Sequence, residues 1–488
     1  MYLIKMLNKQ KLLKLTPYLI CFLFFAAYST LSVVRHIHYQ SFGFDLGIND
    51  QVVWEYSKFH APITTIDFIV NNSKLNVHIE LIYALLAPFY WIWSSPITLL
   101  LLQAAVFSFS GIAVYLLAKR YKLHPWLQLA FLLSYLLFYG VQNALWFDVH
   151  SSVFEAAFTT WFIYFLVSRK NKLATLFFLL AITGKENVAG ITFLISSVYF
   201  LVSKKREGII FALGSLAYLF FVFGIYFPHF VPGGYRFENS GGLFSRMDPR
   251  LLYDTNEKIQ VYFYSLLSYG FLPLLNPLYL VPAFGNLASY FILGSNVTSA
   301  QGLFMQYRIE LAPLLSWATI ATVARYKLLN NKAFAIYIIL AALVVQYLLH
   351  LPLSYLTKKW FWTKPSGEYT INKIIKDIPN NASLVAQNNI TPHVSERKYI
   401  YTLWPEKKTF HTASPCGKTV CNWFRWSGNP QFLIVDTSTD WDARHLLIDR
   451  PLFIDGLNNL EKARIITRYK EAGNTILYKV NINPDSYK

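Results

Sequence analysis

Charge is scarce in this sequence. Asp, Glu, Lys and Arg together make up 14% of its 488 residues, against the roughly 25% of a soluble globular chain. A chain this long with so few charges cannot cover its surface with water-compatible groups, which excludes an ordinary cytosolic enzyme and a disordered protein. Cysteine is also rare. The three present (Cys21, Cys416 and Cys421) are too few for a disulfide-dense secreted module. No Walker or dinucleotide-binding glycine pattern occurs, and no internal repeat or low-complexity tract. What the sequence has instead is apolar and aromatic mass, 55% hydrophobic and 18% aromatic residues, with a net charge of +18. That balance indicates a polytopic membrane protein, its basic residues serving topology rather than nucleic acid.

The composition shifts near residue 357. Residues 1–356 carry 25 of the 44 Lys and Arg and 14 of the 26 Asp and Glu, and the last quarter carries the rest. This predicts a transmembrane domain over 1–356, with a first outer loop at 36–76, followed by a water-facing domain over 357–488. Apolar stretches near the ~20 residues needed to cross a bilayer fall at about 17–35, 96–118, 125–147, 151–168, 208–228, 261–282, 283–298, 306–324 and 333–355. Shorter ones lie at 77–93, 173–184 and 188–203, so about 11–13 membrane segments are expected. The first follows four lysines and reads as a retained anchor rather than a cleaved signal. Five basic clusters (Lys5–Lys14, Lys119–Lys122, Arg169–Lys172, Lys204–Arg206 and Arg325–Lys332) hold 16 of the 25 basic residues of the membrane part. The positive-inside rule places all five in the cytoplasm, provided that 77–93 is interfacial or re-entrant and 173–203 is a short hairpin. The N-terminus is then cytoplasmic. The 36–76 loop, Asp148, Lys185, 229–260 and the C-terminal domain are extracytoplasmic. The C-terminal part alternates short apolar strand-like runs with helix-compatible stretches, the pattern of a small α/β domain. Cys416 and Cys421, with His411 nearby, suit a local disulfide, two free thiols or, least well, a zinc site.

Ionisable groups within or beside spans are costly and therefore functional candidates. The candidates are Asp45 and Asp50 in the first loop, His78 with Glu80, Asp148 and His150 with Glu155, Lys185–Glu186, and Tyr307–Arg308 with Glu310. Each has a plain structural reading: a helix cap for Asp45, Asp148 and His150, mutual neutralisation for Lys185 and Glu186, snorkelling for Arg308. Together they suggest transfer of a group from a lipid phosphate. A carboxylate deprotonates an acceptor hydroxyl, while Lys185 or Arg308 holds the departing phosphate. Asp45, His78, Asp148 and His150 could also coordinate a divalent cation, Mg or Mn. Aromatic-rich loops could offer faces to a sugar, although interfacial aromatics are expected without one.

The residues from Phe44 through Asp45, Asp50 and Gln51 to Trp54 resemble the signature of the DUF2079 family of membrane proteins, which is usually placed in the glycosyltransferase C (GT-C) superfamily. Further similarity runs through His78 with Leu85–Tyr90, Leu99–Gln103, Phe147–His150, Gly184–Glu186 and Tyr307–Arg308. In the soluble part it covers Ala386–Asn389, Pro392–Arg397 and Tyr399–Tyr401. The chain departs from the family pattern at Val77, Ser151–Ser152 and Asn187, where acidic residues (and, at 151, proline) are usual. The resemblance implies a mostly α, GT-C-like bundle with its active site on the outer face. It further implies an enzyme that takes sugar from a polyprenyl-phosphate donor for a cell-envelope glycan, lipid or protein acceptor. By position the catalytic acid maps to Asp45, with Asp50 second, Asp148 and His150 assisting, and His78, Lys185, Glu186, Tyr307 and Arg308 contacting substrate. The competing expectations are a lipid-linked sugar flippase and a non-catalytic protein that keeps the fold.

Overall fold

The computed structural model describes residues 2–66, 73–235, 248–293, 300–405 and 424–482. The protein is mostly helical and divides into two compact units. One comprises 1–32, 76–82 and 100–358; the other comprises 33–75, 83–99 and 359–488.

The first unit is built of apolar helices. Among the described residues, three helices are long and apolar enough to cross a bilayer: Leu15–Ile37, Pro96–Arg120 and Arg206–Phe230. The bent pair Pro125–Leu137 and Tyr139–Trp146 makes a fourth if it counts as one span. The apolar helices Ser151–Val167, Asn171–Ile182, Asn187–Ser203 and Lys332–Leu348 are shorter. Large apolar side chains face outward on several of them, including Ile210, Leu213 and Phe220 on one and Ile336, Leu340 and Tyr347 on another. Helices that are apolar on both their packed and outward faces belong in lipid.

Among the described residues the count of helices long enough to span alone is below the 11–13 membrane segments read from hydropathy, because the backbone interrupts the apolar runs. Phe138 leaves the helical region at ψ 135° and bends one run. The expected division into 261–282 and 283–298 falls elsewhere. The helix Asn256–Leu267 ends at Gly270 and Phe271, both in the left-handed region, and the next starts at Pro277 and continues through Pro282. A proline in the first turn suits a helix start, so Pro277 rather than Pro282 marks the boundary. The 173–203 hairpin takes the form of two helices, Asn171–Ile182 and Asn187–Ser203, joined by a tight turn that contains Gly184, Lys185 and Glu186.

The second unit is α/β. Its five-stranded sheet has β1 (Leu384–Ala386), β2 (Ile400–Thr402), β5 (Phe432–Asp436), β6 (Ile466–Ala472) and β7 (Thr475–Val480) in the order β2-β1-β5-β7-β6. β1 is parallel to both β2 and β5, and β7 is antiparallel to both β5 and β6. A separate antiparallel pair, β3 (Trp404–Pro405) and β4 (Phe424–Arg425), lies beside them in sequence. Strands β1 and β5 are buried almost throughout (Leu384, Val385, Leu433, Ile434 and Val435 are 0% exposed), as central strands covered on both faces must be. Tyr39, Ile48 and Ile66 contribute to the same core. The loop at 33–75 therefore folds as part of the α/β unit. Cys416 and Cys421 lie outside the described residues, as does His411.

Candidate functional site

In the α/β unit, the signature around Asp45 and Asp50 forms a π-helical turn, Gly43–Gly47, running into the helix Ile48–Ser57. π-turns are rare and concentrate at functional sites. The turn is anchored by Gly43, whose N–H reaches the Asn388 backbone oxygen at 2.8 Å and its side-chain oxygen at 3.0 Å. A Cβ on Gly43 would lie 2.8 Å from Thr391 Cβ, so only glycine permits this approach. Gln51 is a complete clamp. Its amide donates to the Arg397 carbonyl (2.9 Å) and Thr65 Oγ1 (3.1 Å), and its oxygen accepts from Thr64 Oγ1 and the Thr65 N–H (both 2.9 Å).

The two aspartates of the signature have different fates. Asp50 is 0% exposed. Tyr90 donates its hydroxyl to one carboxyl oxygen, and Ser395 donates to the other at 2.6 Å. Asp45 is half-buried on the π-turn. Burial, followed by the neighbouring Glu396 charge, raises the Asp50 carboxyl well above its ordinary value, against the opposing hydrogen bonds from Ser395 and Tyr90. The folded state thus holds this proton more tightly than the unfolded chain. Its stabilising contribution is full below the unfolded carboxylate value and is lost as pH rises through the elevated folded value. Asp50→Asn cannot titrate, so the variant should gain thermal stability relative to wild type between about pH 5 and about pH 8. Unfolding in detergent at both pH values checks this; a pH-independent difference would remove Asp50 as the titrating group.

The apolar unit holds a second polar assembly, centred on the turn Gly184–Glu186. His78 Nδ1 lies 2.8 Å from Glu186 Oε1, and Tyr235 donates its hydroxyl to the same oxygen at 2.7 Å. Glu186 Oε2 is buried with no hydrogen-bond partner among the described residues. The backbone N–H of Lys185 donates to Glu155 Oε1 at 2.5 Å. Glu155 and Glu310 are close enough to share a hydrogen bond. The Lys185 ammonium is half-buried, lies in the field of Glu80, Glu155, Tyr307 and Glu310, and makes no ion pair within 4 Å among the described residues. Two of the chain's departures from the family pattern act here as neutral donors. Ser151 Oγ donates to Glu80 Oε1 at 2.6 Å, and Asn187 donates to Glu310 at 3.2 Å. At 187, a neutral donor in place of an acid relieves the repulsion that a further buried carboxylate would add.

Asp148 and His150 sit at the entry of the helix Ser151–Val167, both buried. Asp148 has φ 62°, a left-handed conformation that aspartate tolerates better than most residues, and its carbonyl accepts from Gln103 Nε2 at 2.7 Å. His150 is the residue before the helix, but its side chain makes no capping hydrogen bond; its ring stacks on Phe147. Arg308 does not snorkel. It is 0% exposed, its guanidinium donates to the Gly302 and Ala300 carbonyls, and it lies over the Tyr290 and Phe291 rings at 5.0 and 5.2 Å. Tyr307 is half-buried and its ring meets Tyr290 edge-on. The first unit therefore brings His78 and Glu186 into direct contact and sets Lys185 near Tyr307. The α/β unit holds Asp45 and Asp50.

The residues expected to hold Mg or Mn were Asp45, His78, Asp148 and His150. Among the described residues no three His, Cys, Asp or Glu side chains are grouped so as to hold a metal ion, and His78 is turned to Glu186. No step below is routed through a metal ion. Sequence reasoning gave no role to Asn286, which donates to Glu310, or to Tyr90. A polar amide inside an apolar helix was the available signal for Asn286; for a tyrosine in an aromatic-rich chain there was none.

A family described as "Predicted membrane protein (DUF2079)" matches residues 35–415. No curated protein matches the sequence. Solved structures that resemble the chain include ArnT from Cupriavidus metallidurans bound to undecaprenyl phosphate, at 12% identity and TM-score 0.49, covering 97% of this chain and 98% of that one. Two structures of the Archaeoglobus fulgidus oligosaccharyltransferase also resemble it. The form tethered with an acceptor peptide is 13% identical at TM-score 0.43, covering 96% of this chain and 74% of that one. The apo form is 11% identical at TM-score 0.45, covering 87% and 70%.

Proposed function

The chain belongs to the DUF2079 family of predicted membrane proteins, and on that footing we propose that it is a GT-C-like membrane glycosyltransferase. It transfers a sugar from a polyprenyl-phosphate donor to a cell-envelope acceptor on the outer face of the cytoplasmic membrane. The observation that carries the reading is the division of labour between the two signature aspartates. Asp50 is consumed by the fold, whereas Asp45 stands half-buried on a π-turn, at the position where the resembled superfamily has its catalytic acid. In the proposed step the Asp45 carboxylate takes the proton of an acceptor hydroxyl as that oxygen bonds to the anomeric carbon. The bond from that carbon to the phosphate oxygen breaks, its electron pair leaves on polyprenyl phosphate, and the configuration inverts. The basic clusters of the loops support a cytoplasmic N-terminus and an extracytoplasmic α/β unit.

The test is to incubate the purified full chain, in vesicles, with radiolabelled polyprenyl-phosphate sugar and an envelope extract. Release of polyprenyl phosphate in step with label entering acceptor is expected. Label crossing the bilayer with the sugar–phosphate bond intact would replace the transferase by a carrier.

A further inference from the structure

The sequence singles out Pro392–Arg397, a segment the transfer step leaves unused. Within the α/β unit it lines a cavity of about 550 Å³, together with Ser94, Ser95, Lys376 and Asn380, a size within the ~300–1,000 Å³ of small-molecule sites. Three consecutive residues of the segment show what the fold requires and what it does not. Ser395 is used to hold Asp50. Arg397 is used twice: its carbonyl receives Gln51, and its guanidinium donates to the Pro379 carbonyl at 2.5 Å. Glu396 lies between them, lines the cavity, and carries a buried Oε1 with no hydrogen-bond partner among the described residues. Its other interactions are a hydrogen bond with Ser94 and the charge of Lys58. Leaving a buried carboxyl oxygen unsatisfied is costly, and nothing in the packing of this segment needs it.

The chemistry of the walls narrows the occupant. An anion is disfavoured, because the Arg397 guanidinium is turned to backbone carbonyls while the Glu396 carboxyl lines the cavity. A cation meets Lys376. What remains is a neutral ligand that both donates and accepts hydrogen bonds, matched to Ser94, Ser95, Asn380 and Glu396. Aliphatic surface from Ile375, Ile378 and Val394 suits the C–H faces of a pyranose ring. We propose that this cavity binds the uncharged, hydroxyl-rich saccharide head of the acceptor, with Glu396 as its anchoring hydrogen-bond partner. The proposal rests on the transferase reading and adds to it the acceptor class and its place.

The experiment measures binding of cellobiose, maltose and N,N′-diacetylchitobiose to the detergent-purified full chain by saturation-transfer NMR, with inorganic phosphate and spermidine as charged probes. Saturable binding of at least one disaccharide is expected. Glu396→Ala should weaken it about tenfold or more, as loss of a hydrogen bond to a charged group does. Asn380→Trp, at an exposed position on the wall, should block it without disturbing the core. No disaccharide bound, phosphate or spermidine bound in their place, or undiminished binding in Glu396→Ala would overturn the proposal. The two readings fail separately. Label crossing the bilayer with the sugar–phosphate bond intact removes the transferase reading whatever the NMR shows. Transfer at wild-type acceptor KM by both Glu396→Ala and Asn380→Trp removes the cavity alone.

Discussion

Asp45→Asn and Asp45→Ala should each lower sugar transfer by roughly 10²–10⁴-fold, the usual worth of a positioned general base. Neither change should unfold the protein. Asp45 is half-buried on the π-turn, and that turn is anchored by backbone and glycine contacts at Gly43. Asn keeps the shape and hydrogen-bonding reach of the side chain but cannot accept the proton, so its loss should approach that of Ala. The informative control is Asp50→Asn, five residues on. That change replaces a carboxyl held by Tyr90 and Ser395 and should act through stability, with a modest effect on rate per folded molecule. Rates normalised to folded protein separate the two. Equal damage at both positions, or transfer untouched in both Asp45 variants, would take Asp45 out of the chemistry.

The second large effect is structural. A Cβ at Gly184 would overlap Glu155 Cγ and Oε1, and Glu155 is tied to the same turn through the Lys185 N–H. Gly184→Ala must therefore displace either the Glu155 side chain, losing that hydrogen bond, or the backbone that presents Lys185 and Glu186. Overpacking of this kind costs about 1–3 kcal/mol, which for a chain of this size lowers the unfolding temperature by roughly 1–3 °C. Adding Glu155→Ala removes the clashing atoms. The double variant Gly184→Ala/Glu155→Ala should recover part of the loss, a coupling expected only for residues in contact. Thermal unfolding of the four proteins of the cycle measures it. Simple additivity would show that the clash is relieved elsewhere.

How far the candidate residues could be read from sequence differs from one to the next. Asp45 and Asp50 look equivalent in the signature, and their spacing says only that they do not share a helical face. Their separation into one half-buried acid and one fully buried acid depends on Ser395, 345 residues away in the chain. Lys185–Glu186 suggests a neutralised neighbour pair. In the structure Glu186 is met by His78 and Tyr235, and Lys185 is left to the field of Glu80, Glu155 and Glu310. Arg308 reads as a phosphate clamp or a snorkelling side chain, yet it is fully buried against backbone carbonyls. Hydropathy locates apolar runs but not their breaks, because a left-handed residue such as Phe271 or a single extended residue such as Phe138 leaves no trace in mean polarity.

By itself, the sequence determined that this is a membrane protein with a helical apolar part and an α/β part, since those follow from local quantities: charge density, apolar run length and strand periodicity. It also picked out the polar residues that a membrane unit would not keep without use. Only the tertiary structure decided which unit the 33–75 loop joins, which aspartate the fold consumes, and which carboxyl oxygens are buried without a partner. Those outcomes depend on hydrogen bonds and steric approaches between residues distant in the chain, such as Gly43 with Thr391 and Asp50 with Ser395, and no local pattern of residue types encodes them.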